Sequence, residues 1–347
     1  MDKNENLQRE RRKDEHVTLA LKQNQELAGD TFKEIEVIGM SVPKYDYADI
    51  DLSTTIADIA IPFPLYINAM TGGSRHTKEI NGNLAEIAAA TGIPMAVGSQ
   101  SSALKNAELA DTFQIARKRN PNGVLFANVS PEIKVADGLR AVEMIEANAL
   151  QIHINPVQEL VMKEGDRNFA HWLKSIETYQ KELSIPIIVK EVGFGITRET
   201  AELLKRIGVK TIDVGGKGGT NFAAIENDRR RDHAYDYLTD WGITTPQSLL
   251  DCQLVTDVDF LASGGVKNPL DMLKSLILGA NAVGMSGPLL LKLKEHGVEK
   301  TIAQIEAWKE QLTSLFLLAN AKDIQEVRQT PIALYGHLKE WQENRSK

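Results

Sequence analysis

The feature that most constrains the fold of this chain is a unit that occurs eight times from residue 64 onwards. Each unit is a short apolar run, a polar or glycine-rich loop and a helical pattern. The runs are PLYINAM (64–70), MAVGSQ (95–100), VLFANVS (124–130), ALQIHIN (149–155), PIIVKEV (186–192), TIDVGG (211–216), DFLASGG (259–265) and AVGMSG (282–287). Strands that alternate with helices and are rich in Val, Ile and Leu favour a parallel sheet covered by helices.

The ends of the eight runs distinguish a closed barrel from a doubly wound open sheet. They carry polar residues or glycine: Asn68, Ser99, Asn128, Asn155, Lys190, Gly215, Gly264 and Ser286. A barrel places its ligand across the carboxyl ends of all its strands, whereas an open sheet gathers such residues at one switch point. We therefore predict an α/β fold, a single-domain (β/α)8 TIM barrel with C-terminal helices over residues 64–347. An N-terminal extension of residues 1–63 precedes it.

Composition limits the possible functions. A chain of 347 residues that is 42% hydrophobic can bury a large core, and its net charge of −7 argues against a nucleic-acid partner. The one cysteine, Cys252, forms no internal disulfide and is predicted to lie on a buried helix. The first 16 residues are charged and look flexible, and they show no signal peptide; no segment is apolar enough to span a membrane. We expect a soluble, cytoplasmic protein.

The fourth run is unusual because polar and apolar residues alternate along it. Neighbouring strand residues point to opposite faces, so Gln151, His153 and Asn155 share one face. Burying such groups is costly unless something pairs with them, which predicts a ligand. Gln158 and Glu159 follow at the strand end, and one carboxylate suits Mg²⁺, which also binds substrate phosphates. Taken singly, the histidine could be a core residue and Asn155 a helix cap.

Two late glycine-rich loops predict an anion site. ASGGVKNP (262–269) and GMSGPLL (284–290) follow the seventh and eighth strands, where barrels commonly bind phosphate. Glycine allows the backbone to approach a ligand closely, and amides at a helix start attract anions. Tight turns alone are the alternative. The segment DVGGKGGTNF (213–222) is either a mobile loop over the ligand or a long connection.

Lys190 lies at the end of a buried run, where a charged lysine needs an anionic partner. It is predicted to form a Schiff base or to face an electron-rich edge of the ligand. A bridge to Glu191 or to another strand-end carboxylate is the structural alternative. The loop AMTGGS (69–74) offers a hydroxyl and amides against which a planar ring could lie.

Six motifs occur in a characteristic order: AMTGG (69–73), VGSQ (97–100), HxNxxQE (153–159), VKEVGFG (189–195), GGKGGTNF (215–222) and SGG (263–265). With them the chain resembles the type 2 isopentenyl-diphosphate isomerases, from about Arg11 to its C-terminal region. The second motif departs from the family pattern, which often reads GSQR, because this chain has Ser101 in place of the arginine. The diphosphate contact of that arginine is therefore not carried over.

The resemblance implies roles for particular residues. FMN would contact Ala69, Met70, Thr71, Ser99, Asn128, Lys190, Thr220, Gly264, Gly265, Val266, Ser286 and Gly287. Substrate would contact Arg12, Lys13, His153, Asn155 and Gln158, with Gln158, His153 and Lys190 catalytic and Glu159 binding Mg²⁺. Related barrels assemble, so a homo-oligomer, a tetramer or octamer, is expected.

The implied reaction converts isopentenyl diphosphate into dimethylallyl diphosphate by a 1,3-allylic proton shift, in isoprenoid biosynthesis. It uses reduced FMN, Mg²⁺ and NADPH, and flavin N5 and Gln158 are both candidates for moving the protons. Two other functions were weighed. Net oxidation of a hydroxy acid calls for a His base beside an Arg, which the late loops lack, and a non-catalytic flavin or phosphate module leaves HxNxxQE without a purpose. Isomerisation of a diphosphate substrate is the function we predict.

Overall fold

Strands and helices alternate through most of the computed structural model, which describes residues 3–26, 30–230 and 232–346, with side chains from Lys13 onwards apart from residues 25 and 26. The strands are β1 (Ile35–Val37), β2 (Thr54–Ile56), β3 (Ile59–Ile61), β4 (Leu65–Ile67), β5 (Met95–Ala96), β6 (Leu125–Val129), β7 (Ala149–Ile154), β8 (Ile187–Glu191), β9 (Thr211–Asp213), β10 (Asp259–Ser263), β11 (Ala280–Met285) and β12 (Ile332–Leu334). The helices are α1 (Lys3–Glu26), α2 (Arg75–Thr91), α3 (Ser101–Lys105), α4 (Asp111–Arg119), α5 (Val135–Met144), α6 (Pro156–Val161), α7 (Trp172–Glu182), α8 (Arg198–Arg206), α9 (Phe222–Arg230), α10 (Thr245–Cys252), α11 (Pro269–Ile277), α12 (Gly287–Leu318), α13 (Ile324–Val327) and α14 (Gly336–Arg345).

Strands β4 to β11 form a closed barrel in chain order, and the register that pairs Val283 of β11 with Leu65 of β4 closes the ring. All eight apolar runs therefore form barrel strands, and the predicted (β/α)8 fold is confirmed. Helix α2 ends where expected, because Gly92 adopts a left-handed φ of 71° at its C-cap. Cys252 is buried at the end of α10, and burial raises the pKa of its thiol well above the usual range.

Side chains that point into the barrel change character along the strands. One inward cluster is apolar and includes Tyr66, Ala96, Phe126, Ala149, Ile188, Leu261 and Ala282, together with Ile56 and Ile61 of the hairpin β2–β3. Strand residues two apart share a face, so Asn68, Asn128, Gln151 and Lys190 occupy the next inward positions. The hairpin thus closes the apolar end of the barrel, and the polar layer lies toward the carboxyl ends of the strands.

Helix α1 lies across those carboxyl ends. Val17 and Leu21 pack against Leu290 at the start of α12, and the hydroxyl of Ser74 donates to the carboxylate of Asp14 at 2.6 Å. The first 16 residues, which the sequence predicts to be flexible when nothing is bound, belong to this helix from Lys3 onwards. The apolar residues Val17 and Leu21 anchor the helix on the barrel rim.

The N-terminal extension and the C-terminal tail also meet on the other side of α12. Strand β1 pairs antiparallel with β12, so the two ends of the chain form a small sheet. Helix α12 contains a break at Gly297, where φ is 79° and ψ is −179°. This break divides the predicted eighth barrel helix from the amphipathic helix that follows it. Within the described ranges, no helix combines the length and apolar character needed to cross a bilayer.

Candidate active site

Loops at the carboxyl ends of the strands and helix α1 enclose two neighbouring spaces. The larger, which we call the main cleft, has a volume of about 820 Å³ and is lined by Lys13, Thr71, Ser99, Asn128, His153, Gln158 and Glu159 among others. The smaller, which we call the glycine recess, is lined by Thr220, Gly264, Gly265, Val266, Ser286 and Gly287 among others. Ala69, Met70 and Lys190 line both. The fold therefore gathers nearly all the predicted site residues around two neighbouring spaces.

Two predicted residues are not placed on the cleft surface. Asn155 is buried and is absent from the lining of both spaces. Arg12 belongs to α1, but its side chain lies outside the described residues.

The glycine recess is built from backbone. Gly264 has a φ of 93°, and a Cβ there would lie 1.9 Å from the carbonyl oxygen of Gly216. Ser286 and Gly287 begin α12, so amides at the start of this helix border the recess. Unpaired amides at a helix start, together with the helix dipole, attract anions. The recess is therefore suited to a phosphate group.

A buried carboxylate, Asp213, organises the polar layer beneath both spaces. Its Oδ2 accepts hydrogen bonds from Tyr66 at 2.6 Å and from Nδ2 of Asn68 at 2.8 Å. Its Oδ1 accepts from Ser263 at 2.5 Å and from the Gly215 amide at 3.1 Å. Both oxygens of this carboxylate are thus satisfied by four donors from three different strand ends. Because buried polar groups must be paired, this arrangement fixes the orientation of its neighbours.

Side-chain amides of the same layer extend this hydrogen-bond network across the barrel. Gln151 donates to Oδ1 of Asn68 at 3.3 Å and accepts from Nδ2 of Asn128 at 3.0 Å. Oδ1 of Asn128 lies 2.8 Å from Nδ1 of His153. An amide oxygen only accepts, so the proton of a neutral imidazole lies on Nδ1 and Nε2 is left as an acceptor. Residues on one face of β7 are therefore held in place by a chain of bonds that starts at Asp213.

His153 is neutral at ordinary pH. Burial, followed by the positive charges of Lys13 and Lys190, lowers its pKa to about 3. The charge of Lys13 therefore acts across the cleft on the ring of His153. An anion bound between these groups would reverse the effect and favour the protonated ring.

Lys190 has two partners in the described structure. Its Nζ lies 3.5 Å from Oδ2 of Asp213 and donates to the backbone carbonyl of Glu191 at 3.0 Å. The carboxylate of Glu191 instead accepts from the amides of Phe194 and Gly195, so Lys190 pairs with another strand-end carboxylate, Asp213, as the structural alternative predicted. Burial raises the pKa of Glu191 to about 8. The lysine is thus anchored from below and lines both spaces.

Gln158 is positioned by groups at both ends of its amide. Asn155 caps α6 by accepting from the Gln158 backbone amide at 2.9 Å, and its Nδ2 donates to Oε1 of Gln158 at 3.3 Å. Nε2 of Gln158 donates to Oε1 of Glu226 at 3.2 Å. Asn155 therefore acts here through Gln158, which is the capping role that the sequence left open.

Glu226 is buried, and its partners keep it ionised. Burial raises its pKa, but a hydrogen bond from His16 at 2.8 Å and the charge of Arg229 lower it overall. Arg229 also contacts Glu15 and Glu164, so this arginine joins carboxylates from three segments of the chain. Helix α1 is thereby linked to the group that holds Gln158.

Glu159 lies in the main cleft, and its Oε2 accepts from the Asp166 amide at 2.9 Å. Across residues 3–26, 30–230 and 232–346, no cluster of three or more His, Cys, Asp or Glu side chains is arranged to hold a metal ion. A site with one protein carboxylate can bind Mg²⁺ when substrate phosphates complete the coordination. The described residues fit such a shared site.

Two hydroxyls near the cleft have no hydrogen-bond partner among the described residues. These are Oγ1 of Thr71 and Oγ of Ser102, both buried. Their neighbours Ser99 and Ser101 bond to each other, with their hydroxyl oxygens 3.1 Å apart. Buried hydroxyls are normally paired, so these two indicate that a ligand binds here.

Sequence reasoning missed Asp213 and Glu226. An aspartate at the end of the short run TIDVGG, two residues after the inward Thr211, was a signal for Asp213, since inward positions recur every second residue. Glu226 follows Phe222 by four residues on α9, so both lie on one helix face, but nothing local indicates which face meets Gln158.

Comparison with known proteins assigns the chain to a family. A model of the FMN-dependent dehydrogenase family matches residues 105–334. An isopentenyl-diphosphate delta-isomerase of Listeria monocytogenes serotype 4b (strain F2365) is 61% identical over 343 residues, which is 98% of this chain and 96% of that protein. The enzyme of the same name from Staphylococcus aureus (strain JH1) is 46% identical over 340 residues, covering 98% and 97%.

Solved structures support the fold. A mandelate oxidase variant with an FMN adduct is similar with a TM-score of 0.62 and 17% identity, covering 92% of each chain. A flavocytochrome b2 variant is similar with a TM-score of 0.67 and 18% identity, covering 93% of this chain and 80% of that one. At this identity the likeness concerns the barrel alone. Together with the full-length relatives, these findings show that the chain is an isomerase and belongs to the type 2, FMN-dependent isopentenyl-diphosphate delta-isomerase family.

Proposed function

We propose that this isomerase converts isopentenyl diphosphate into dimethylallyl diphosphate in isoprenoid biosynthesis, with reduced FMN, Mg²⁺, and NADPH as the reductant. The observation that carries the proposal is that the glycine recess and the main cleft are neighbours and share Ala69, Met70 and Lys190 as lining residues. The recess suits the phosphate of a flavin nucleotide, and the cleft brings together a neutral histidine, an amide and a carboxylate. The activity of the similar Listeria and Staphylococcus proteins supports the choice of reaction.

The described residues fit FMN. Backbone amides of Gly264, Gly265, Val266, Ser286 and Gly287 would take its phosphate. A Cβ at Gly264 would meet the carbonyl oxygen of Gly216, so glycine is what allows the two loops around the recess to approach closely. Ala69, Met70 and Thr71 would lie against the ring, with Ser99, Asn128 and Thr220 near its polar edges and ribityl chain. Lys190 would stabilise negative charge at the N1/O2 edge. When bound and reduced, FMN supplies an electron-rich ring that can carry a proton and stabilise positive charge.

The substrate diphosphate would lie in the main cleft between Lys13 and His153, with Arg12 adding charge. Glu159 would hold the Mg²⁺ that neutralises it. Nε2 of His153 would take up a proton as the anion approaches, since the charges that lower the pKa of the ring are then compensated. These contacts fix the five-carbon chain, so that proximity contributes to the rate.

The reaction adds a proton to the terminal alkene carbon and removes one from the carbon two positions away, with no net oxidation. Gln158 would orient the alkene, because Asn155 and Glu226 hold both ends of its amide. Glu226 remains a carboxylate and would stabilise the positive charge that develops on protonation. Helix α1 covers the cleft and would exclude water from the charged alkene.

We also propose an arrangement at larger scale. Residues 1–63 would be an extension that carries the basic substrate-binding segment, and residues 64–347 would be the FMN-binding barrel with its helical tail. The chain would act in the cytoplasm as a homo-oligomer, a tetramer or octamer, which light scattering on the purified protein would measure.

The test is a turnover assay on FMN-loaded protein. NADPH reduces the sample anaerobically in the presence of Mg²⁺, isopentenyl diphosphate is added, and product is followed by NMR. We expect dimethylallyl diphosphate to accumulate over many turnovers without further consumption of NADPH. Oxidised substrate in amounts equal to the reduced flavin would contradict the proposal, as would absence of product with reduced FMN bound.

A further inference from the structure

We propose that Arg167 is a positioning residue for the metal site. It fixes the turn that follows α6 and thereby holds the carboxylate of Glu159 in the orientation that binds Mg²⁺. This role rests on the proposed function, in which Glu159 is the Mg²⁺ ligand, and it adds a residue that acts through that ligand. Helix α6 carries both Gln158 and Glu159, and the turn comprises residues 162–167.

The turn after α6 folds back onto the helix. Oε2 of Glu159 accepts from the Asp166 amide at 2.9 Å, so a residue seven positions later fixes one oxygen of the carboxylate. The turn passes so close to the helix that a Cβ at Gly165 would lie 2.1 Å from the carbonyl oxygen of Glu159. Any displacement of the turn would therefore move the amide that orients this carboxylate.

Arg167 closes the turn with its guanidinium group. Nη1 donates to the carbonyl oxygen of Glu159 at 2.5 Å, and Nη2 donates to that of Met162 at 2.9 Å. Nη1 also donates to the carbonyl oxygens of Gly165 and Asp166, both at 2.8 Å. A guanidinium is planar and carries five N–H groups in a fixed arrangement, so it can hold several oxygens at once. One side chain therefore ties α6 to the residue whose amide orients Glu159.

The carbonyl groups at the end of α6 need such partners. The last four carbonyls of a helix lack intrahelical donors, and cations near them are favourable. Arg167 serves the carbonyl of Glu159, and Arg230 on α9 donates to the carbonyl of Val161 at 3.0 Å. In the part of the chain that the structure describes, Arg167 forms no ion pair, so its hydrogen bonds serve the backbone of this turn.

Arg167 acts on the cleft only through its neighbours. It is exposed and absent from the cleft lining, whereas Met162, Glu164 and Asp166 of the same turn line the cleft. Removing a hydrogen-bond partner of a metal ligand commonly weakens metal binding by about ten- to a hundredfold. Arg167 supports the turn that supplies such a partner, so we expect an effect at the lower end of that range.

The first test replaces Arg167 with methionine in the FMN-loaded protein. Mn²⁺, which suits the same oxygen ligands as Mg²⁺, is titrated with inorganic pyrophosphate present and followed by EPR. We expect the Kd for Mn²⁺ to rise roughly tenfold with FMN retention unchanged. Arg140→Met on α5 is the matched control and should leave the Kd unchanged, because Arg140 forms an exposed ion pair with Asp137 outside the cleft lining.

Arg167→Lys separates geometry from charge. Lysine keeps the positive charge but presents a single ammonium group, which cannot reproduce the planar fork that reaches four carbonyls. This variant should recover only part of the affinity that Arg167→Met loses. Complete recovery would overturn the positioning role, because charge alone would then be sufficient.

A double-mutant comparison distinguishes positioning from a general structural defect. Glu159→Gln is titrated with Mn²⁺ alone and in combination with Arg167→Met. If the arginine acts through Glu159, its removal should add nothing once the carboxylate is gone. A further tenfold loss in the double variant would contradict the proposal, since a defect of the whole site would add to the loss of the ligand.

These titrations separate the role of Arg167 from the proposed reaction. A weaker Mn²⁺ Kd that depends on Glu159 supports the role even if isopentenyl diphosphate is not turned over. Equal affinities of the wild type and Arg167→Met would refute it even if the wild type is an active isomerase. In the active enzyme, the Mg²⁺ concentration for half-maximal rate should rise roughly tenfold in Arg167→Met, with little change in kcat at saturating Mg²⁺.

Discussion

The two sides of the active-site rim differ in what they present to the cavity, which is backbone on one side and side chains on the other. The late side, from the loops after β9, β10 and β11, presents backbone through glycines such as Gly216 and Gly264. The early side, from the loops after β4 to β8 and helix α1, presents side chains such as His153, Gln158 and Glu159. Backbone can bind a phosphate but cannot change charge, whereas side chains can titrate and orient a substrate.

Among substitutions on the late side, Gly264→Ala is expected to have the largest effect. The added Cβ meets a carbonyl oxygen 1.9 Å away at a φ of 93°, so we expect a loss of about 4 kcal/mol in unfolding free energy and loss of FMN retention. Gly297→Ala is the control, because Gly297 has a φ of 79° with open space around it and should cost only about 1–2 kcal/mol. Urea unfolding and flavin absorbance measure both, and equal losses would mean that the close approach has no role.

Asp213→Asn tests the layer that joins the two sides. One oxygen becomes an NH₂ group that faces donors, and Lys190 loses its anion, so we expect about 3 kcal/mol of destabilisation in urea unfolding. Asp257→Asn removes an exposed ion pair with Lys205 and should cost less than about 0.5 kcal/mol. Similar losses for the two variants would contradict an organising role for Asp213.

His153 makes the early side sensitive to pH. Its folded-state pKa of about 3 lies below the unfolded value of 6.5, so the unfolded state takes up the proton first. Stability from this residue is complete above pH 6.5 and falls as the pH decreases toward 3, by up to about 3 kcal/mol at pH 4. Denaturant titrations from pH 7 to pH 4 should show a shallower decline for His153→Gln. Parallel curves would show that the ring is protonated in the folded state.

Glu159→Gln should separate the metal function from the cofactor cradle. Loss of the carboxylate is expected to lower Mg²⁺-dependent turnover by about 100-fold at fixed metal concentration while FMN stays bound. Glu79→Gln, at an exposed position on α2, makes the same chemical change away from the cleft. An unaltered Mg²⁺ dependence in Glu159→Gln would exclude this residue as the ligand.

The smallest effect is expected for Lys13→Met, which removes one charge from the early side. The KM for the diphosphate substrate should rise about tenfold with little change in kcat. Lys22→Met provides a control on the same helix, since Lys22 is exposed and does not line the cleft. If both variants behave alike, the charge of Lys13 does not act on substrate.

The barrel could be predicted because the spacing of apolar residues within each strand and helix indicates its type of secondary structure. ALQIHIN alternates, Gly92 ends its helix with a left-handed φ, and each run falls in the ring in order. The polar ends of the strands were predicted for the same reason, since a parallel barrel gathers them at one rim.

What could not be predicted are the pairings between distant residues. Asp213 meets Tyr66 across 147 positions and Glu226 meets His16 across 210, and no local pattern encodes either contact. For Asn155, the sequence pointed to the residue but did not determine which groups it contacts. Its place in the motif predicted a substrate contact, but only the folded chain shows that it caps α6 and orients Gln158.

Helix α1 carries Lys13 at the main cleft and, about 16 Å further along, Asn24 at the glycine recess. Asn24 donates to the hydroxyl of Thr220 and lies against Gly287, so one helix borders both spaces. If the two spaces hold substrate and coenzyme as proposed, a displacement of α1 that exposes the recess would also carry Lys13 away from the cleft. Exchange of the coenzyme and binding of the diphosphate would then be coupled through this helix.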